Sequence, residues 1–389
     1  MMHHHNLHNC SLNILLLITL CNVSIGFLFT PDISLIKSFC VTSSKTRESD
    51  LLPRQRNSLI RSTSYHEIEK ITDSRIVAIG DIHGDLNALF RSLKIAGVIE
   101  EDGAWCGENT IVIQMGDLID RGPDDLAVLQ TIYSLDQEAQ HEGGRVISLL
   151  GNHEVLNLQG EFAFVDGNAF SHFDKLYPEL DAAVGGDWSA FSHFQEHERC
   201  RAAALMPGGL LSSILAQHPV VLKVGTTLFV HGGLLPHHAL KYSLEEINEL
   251  VAGWILGEHP VPDCISKRNS PVWSRSFSCP ESSELDEEVE DNLDLVLQLT
   301  QCDRMVVGHT PQKRGINSAA RGKVWRVDTG TSAFYGGSAE VLEMNGNEVV
   351  SILTEQGSIP SAERACENLK EQELVPSLPL TEQSRLLKV

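Results

Sequence analysis

The sequence predicts an α/β fold whose functional loops share one edge of a sheet, and three observations predict it. Gly80-Asp81-Ile82-His83-Gly84, Gly116-Asp117-Leu118-Ile119-Asp120-Arg121-Gly122 and Gly151-Asn152-His153-Glu154 stand at near-equal spacing in the first half of the chain. Each follows an apolar, β-branched run: Ile76 to Ile79, Ile111 to Met115 and Val146 to Leu150. The intervals are long enough for the crossover of about a dozen residues that a parallel pair of strands needs. Loops at strand ends are where such a fold gathers its ligands, so Asp, His, Asp and Asn can converge on one point.

The elements follow in chain order. Residues 11 to 30 form an uncharged apolar stretch behind a His-rich start, and Ser24-Ile25-Gly26 supplies a small-x-small cleavage pattern before Phe27. Residues 1–26 therefore read as a signal peptide, with an uncleaved membrane anchor as the alternative. Residues 27–70 are rich in Ser and Thr with scattered Lys37, Lys45, Arg47, Arg54, Arg56 and Arg61. A signal peptide, then Phe, then a hydroxylated basic segment resembles the two-part leaders that carry proteins into plastids of secondary origin. That implies plastid localisation; the plainer alternative is a disordered linker in a protein of the secretory pathway.

Residues 71–355 read as the folded region and residues 356–389 as a polar tail, because Pro, Ser, Glu and Lys mix there without periodicity. Two stretches look inserted. Residues 155 to 218 read as a cap over the site. Glu281 to Asp294 carries Glu281, Glu284, Asp286, Glu287, Glu288, Glu290, Asp291 and Asp294, and reads as the solvated start of a helix. Acids there favour the helix dipole; recruitment of a basic partner is the sharper alternative.

Pro219 to Val224 and Thr227 to Val230 are apolar runs separated by Gly225-Thr226, so they read as a hairpin leading into His231-Gly232-Gly233. Arg304 to Val307 repeats the arrangement and ends in Gly308-His309-Thr310-Pro311. Glycine beside histidine lets backbone pack closely around a ligand where a Cβ would crowd it.

A chain of 389 residues with 42% hydrophobic content has ample material for a core. The formal net charge of −22 argues against a nucleic-acid surface, which needs clustered Lys and Arg. It says little about small phosphate esters, since a local Arg pair acts at contact range while screening confines distant charges. Nine cysteines form no C-x-x-C pair, which leaves zinc-ribbon and thioredoxin readings unsupported. Buried or free thiols are expected, with Cys264 and Cys279 the pair to look for if a disulfide exists.

Carboxylates mixed with imidazole suit a pair of divalent metals such as Mn, Fe or Zn better than a soft thiolate site. Taken singly, each motif carries modest weight. In order, however, GDxHG, GDxxDRG, GNHE, HGG and GH over roughly residues 75 to 340 resemble the phosphoprotein phosphatases among the metallophosphoesterases. His231-Gly232-Gly233-Leu234-Leu235-Pro236, Pro271-Val272-Trp273-Ser274-Arg275 and Gly308-His309-Thr310-Pro311-Gln312 are similar to the bacterial-like branch called Shewanella-like protein phosphatases. Asp328-Thr329-Gly330-Thr331-Ser332-Ala333-Phe334-Tyr335 stands where the common eukaryotic enzymes carry Ser-Ala-Pro-Asn-Tyr, so toxin sensitivity and regulatory-subunit binding do not transfer.

The resemblance implies a metallophosphoesterase catalytic domain: a central β-sandwich of two mixed sheets flanked by helices, with a dimetal site at strand ends. One metal would be held by Asp81, His83 and Asp117, the other by Asp117, Asn152, His231 and His309. A hydroxide bridging the metals would attack a phosphoserine or phosphothreonine monoester, with phosphotyrosine as the alternative. His153 would protonate the leaving oxygen, Asp120 would orient His153, and Arg121 and Arg275 would grip the phosphate. Glu154 reads as a supporting acid, and Asp85 as a carboxylate beside the metals. The expected partner is a phosphoprotein substrate, with no nucleic acid and no stable membrane association after leader cleavage. The rival readings are a diadenosine-polyphosphate hydrolase and a catalytically inactive phosphoprotein-binding module.

Overall fold

Arg75–Ile79 forms the first strand, β1, and its side chains divide between two cores. Ile76 and Ala78 face a second sheet, while Val77 and Ile79 face helices. That two-sided burial is why the strand reads as a continuous apolar run rather than an alternating one. The computed structural model describes residues 74–279 and 282–362, so the leader expectations for residues 1–26 and 27–70 lie outside the described residues.

After β1 come α1 (Leu86–Ile95), β2 (Ile111–Gln114), α2 (Asp125–His141), β3 (Arg145–Ser148) and α3 (Asn152–Leu158). Three helices then fill the first inserted stretch, α4 (Gly167–Asp174), α5 (Tyr177–Ala183) and α6 (Arg199–Leu205), before the short α7 (Ser212–Leu215). The second half runs β4 (Val221–Val224), β5 (Thr227–Val230), α8 (Pro236–Ala239), α9 (Leu244–Ile255), α10 (Glu287–Thr300) and β6 (Arg304–Val307). It closes with β7 (Asn317–Ala319), β8 (Val324–Arg326), β9 (Glu340–Asn345), β10 (Glu348–Thr354) and β11 (Gly357–Pro360).

The strands make two mixed sheets. One is ordered β11-β10-β9-β1-β2-β3, the other β4-β5-β6-β8-β7. Within the first, β1, β2 and β3 are parallel and β9 runs antiparallel to β1. Within the second, β5, β6 and β8 are parallel. Between the sheets Ile113, Ile147, Phe229, Val306, Trp325 and Leu342 interlock in one core, and the helices cover the outer faces with a second. Fully burying such a side chain stabilises the fold by about 1.5–3 kcal/mol, so the sandwich holds its strand ends rigidly. The parallel strands of both sheets deliver their following loops to the same edge. The expected sandwich flanked by helices is the observed one.

The expected hairpin is present, with Val224 paired to Thr227 across the turn. As expected, Cys264 and Cys279 are both free thiols, one buried in the core and the other exposed, and Cys106 and Cys200 are free as well. One boundary needs adjustment: Thr354 pairs with Gly357 and Ser351 with Pro360, so β11 extends ordered structure past residue 355 into the stretch read as tail. Its residues are mostly exposed, and an edge strand of that kind leaves no apolar periodicity to read. The acidic stretch, from Ser282 onward, behaves as read: α10 buries Leu293, Val296 and Leu297, and its acids face solvent or pair with Arg321 and Lys323. Among the described residues no helix is long and apolar enough to cross a membrane.

Candidate metal centre

The loops that leave β1, β2, β5 and β6, with the first turn of α3, bring all six candidate ligands together. Asp81, His83, Asp117, Asn152, His231 and His309 are each no more than 5% exposed. The turns are sharp. His83, Asp117, Asp120, Arg121 and His309 all adopt left-handed backbone, with φ between 52° and 71°. Such conformations cost energy for non-glycine residues and gather where a site dictates geometry. Gly308 is glycine for a related reason, since a Cβ there would stand 2.6 Å from Asp81 Oδ1.

Hydrogen bonding shows that these donors fit cations. His231 donates from Nδ1 to the Met115 carbonyl at 2.7 Å, so a cation that displaces the Nε2 proton would find a lone pair there; without one, Asp117 raises the pKa of the ring against its burial. That nitrogen lies 3.0 Å from Asn152 Oδ1 and 3.3 Å from Asp117 Oδ2. A shared cation in place of that proton would draw all three atoms as donors. His83 Nδ1 and His309 Nε2 are buried with no hydrogen-bond partner among the described residues. Two ligand-sized groups can be drawn, His83 with Asp117 and His153, and Asp117 with His231 and His309, so Asp117 belongs to both.

The electrostatics point the same way. Burial, then repulsion from Asp328 and Asp117, pushes the Asp81 carboxyl well above its usual range. Asp117 is held well below that range despite burial, because His231, His153 and His83 surround it. Burial, reinforced by His231 and Arg275, drives His309 down to about 2, and burial takes His83 down to about 4. Neutral imidazoles at His83 and His309 beside crowded carboxylates are what divalent ions require of their ligands.

Beside the cluster His153 Nδ1 lies 2.7 Å from Asp120 Oδ2, so Nε2 is the nitrogen left to face the centre, 4.0 Å from Asp117 Oδ2. Burial works against a charge on His153, yet Asp117 and Asp120 outweigh it and raise its pKa. Arg121 Cζ sits over two rings, 4.4 Å from the Phe164 centroid and 4.8 Å from that of Phe334. Arg275 is exposed and donates to the His309 carbonyl at 3.2 Å and to Thr310 Oγ1 at 3.0 Å.

Glu154 supports the loops from beneath. Its carboxylate accepts main-chain N–H groups from Gly151, Asp117, Leu118 and Ile119 at 2.8, 2.9, 2.8 and 3.3 Å. Burial pushes its pKa to about 7. Asp85 does something other than face metals. It caps α1 through Ala88 N–H at 2.9 Å and tethers the loop of Phe334 through Ala333 N–H at 2.7 Å.

Two charged residues went unread in the sequence. Asp328, buried at the end of β8 with its pKa raised to about 6 by burial, follows the same rule as the other strand-end acids and was legible by it. Arg201 carried no signal. It sits on α6, inside the stretch read as a cap, and is fully buried. Its guanidinium donates to Asp120 Oδ1 at 3.1 Å and to Asn157 Oδ1 at 2.7 Å, and lies 2.7 Å from Asp125 Oδ2. The inserted stretch is therefore part foundation: it contributes Phe164 to the rim and Arg201 to the floor.

Comparison with known proteins agrees with this geometry. Residues 74–313 match the calcineurin-like phosphoesterase family. Shewanella-like protein phosphatase 2 of Arabidopsis thaliana is 36% identical over 306 residues, covering 72% of this chain and 77% of its own length. Shewanella-like protein phosphatase 1 of Plasmodium berghei is 29% identical, covering 70% of this chain and 72% of its own length. Among solved structures, a cold-active protein-tyrosine phosphatase from a psychrophilic Shewanella species superposes with a TM-score of 0.59 at 24% identity. That superposition covers 74% of this chain and 80% of the other, and it shows likeness of fold.

Proposed function

Because the chain belongs to the calcineurin-like phosphoesterases and, among them, to the Shewanella-like protein phosphatases, we propose that it hydrolyses phosphoserine and phosphothreonine monoesters in proteins. The observation that carries this reading is the His153–Asp120 pair, at 2.7 Å, set beside a cluster of six buried ligand side chains. Held by Asp81, His83 and Asp117 on one side and by Asp117, Asn152, His231 and His309 on the other, two divalent ions of the Mn, Fe or Zn kind would lower the pKa of a water toward neutrality and neutralise phosphoryl oxygens.

The chain's own groups do the remainder. Arg121 and Arg275 offer planar forks to the phosphate oxygens, a geometry a lysine lacks. Phe164 and Phe334 confine the Arg121 guanidinium between them, so less freedom is lost when phosphate binds. His153 delivers the proton on Nε2 to the leaving oxygen of serine or threonine. Asp120 holds the ring and favours the charged form that can give the proton away.

A second reading, phosphotyrosine, is favoured by the rim. Phe164, Phe334 and Tyr335 are exposed aromatics, and the His153 and His83 rings lie 5.3 Å from Phe164 and Tyr335 respectively. Such faces suit a flat phenyl ester. The test is a panel of phosphoserine, phosphothreonine and phosphotyrosine peptides together with diadenosine tetraphosphate, assayed with Mn²⁺. Highest kcat/KM on serine and threonine peptides supports the proposal. Preference for tyrosine peptides moves it to the second reading, and preference for the dinucleotide overturns both.

A further inference from the structure

Away from the metal cluster, the segments that follow His231 and precede Arg275 border an open surface cavity of about 310 Å³. His238, Lys241, Tyr242, Lys267, Arg268 and Asn269 line it. Basic groups gathered around one concavity are unexpected on a chain of net charge −22. Lys241 has one acid near it, Asp263 at 3.8 Å, and both side chains are largely solvent-exposed. Lys267 and Arg268 have no acidic partner among the described residues. Three full positive charges therefore face one carboxylate, so the concavity retains a surplus of positive charge.

The wall of the concavity includes a buried, uncharged imidazole. His238 is 5% exposed, and its Nδ1 is buried with no hydrogen-bond partner among the described residues. Its ring packs 3.9 Å from that of His237. Burial, with His237 and Lys241 adding to it, lowers its pKa to about 4. The neutral ring therefore leaves the positive charge of the concavity to Lys241, Lys267 and Arg268.

We propose that this cavity is an anion site separate from the dimetal centre, and that it takes a phosphate-type oxyanion, either free or carried on a phosphorylated side chain. Lys241, Lys267 and Arg268 supply charge-assisted donors, while the Tyr242 hydroxyl and the Asn269 amide complete a polar rim. A bound anion would bridge the two segments, which are already joined where Gly232 and Gly233 donate to the Pro271 carbonyl at 2.7 and 2.9 Å.

The test compares metal-loaded wild type with the triple variant Lys241→Ala, Lys267→Ala, Arg268→Ala and with Lys267→Glu. Calorimetric titration with inorganic phosphate should resolve a site in wild type, beyond that of the metal centre, that both variants weaken about tenfold or more, as charge-assisted bonds imply. Hydrolysis of para-nitrophenyl phosphate should stay at the wild-type rate, which separates this site from the metal centre. A second arm uses doubly and singly phosphorylated peptides. A KM increase confined to the doubly phosphorylated peptide assigns the site to a phosphorylated side chain; a change confined to free phosphate assigns it to the ion. Identical phosphate stoichiometry and identical KM values in wild type and both variants overturn the proposal.

Discussion

Arg201 and Asp120 form an ion pair at 3.1 Å in which neither side chain has any solvent exposure. Asp120 is the residue that holds His153, so a helix in the inserted stretch is tied directly to the proton donor proposed for the reaction. Asp125, 2.7 Å from the same guanidinium, closes the arrangement by accepting the Asp120 N–H at 2.9 Å.

Removing one partner from a buried ion pair strands the other charge and typically costs about 3–5 kcal/mol. Arg201→Met should therefore lower the midpoint of chemical denaturation sharply. Arg201→Lys keeps the charge but loses the fork shared by Asp120, Asn157 and Asp125. It should fold, and kcat should fall more than KM rises; an unchanged kcat would separate Arg201 from the positioning of His153.

Glu154→Ala should release metal. Four main-chain N–H groups lose their acceptor, and each unpaired buried donor costs roughly 1–3 kcal/mol. The loop carrying Asp117 then has nothing beneath it. Metal content measured by mass spectrometry after desalting should drop below that of wild type, with activity restored only in part by excess Mn²⁺.

Asp117→Asn removes the charge common to both candidate ligand groups. The variant should retain fewer than two metal equivalents and lose most phosphatase activity. Retention of both metals at a wild-type rate would refute the bridging assignment.

His153→Asn should slow hydrolysis of a phosphoserine peptide by about 10²- to 10⁴-fold, the usual contribution of a positioned acid. The loss on para-nitrophenyl phosphate should be much smaller, because that leaving group departs without a proton. Equal losses on both substrates would argue against proton donation by this residue.

His218 gives a pH signature in stability. Burial lowers its pKa from 6.5 to about 4 in the folded protein. Between those values the unfolded chain binds the extra proton, so this contribution is complete above pH 6.5 and is lost as pH falls toward 4. Thermal melts of His218→Asn and wild type should therefore diverge in pH dependence across that window and run parallel above it.

The sequence by itself determined the strands from β1 to β6, the loops at their ends and the chemical character of the candidate ligands. Those features are local: an apolar run such as Ile76 to Ile79 and a turn such as Gly80 to Gly84 carry their conformational reasons within a few residues. Asp328 was readable by the same rule, as an acid just past a buried strand. Tertiary structure alone decided which charges support the site. Arg201 reaches Asp120 across 81 positions and Asp85 reaches Ala333 across 248, separations at which no periodicity or spacing links the partners. Glu154 became a clamp rather than a bystander because folding leaves four N–H groups out of water with one carboxylate to satisfy them. Local pattern specifies which groups can bind, whereas burial specifies which must be paired, and burial exists only once the two sheets have packed.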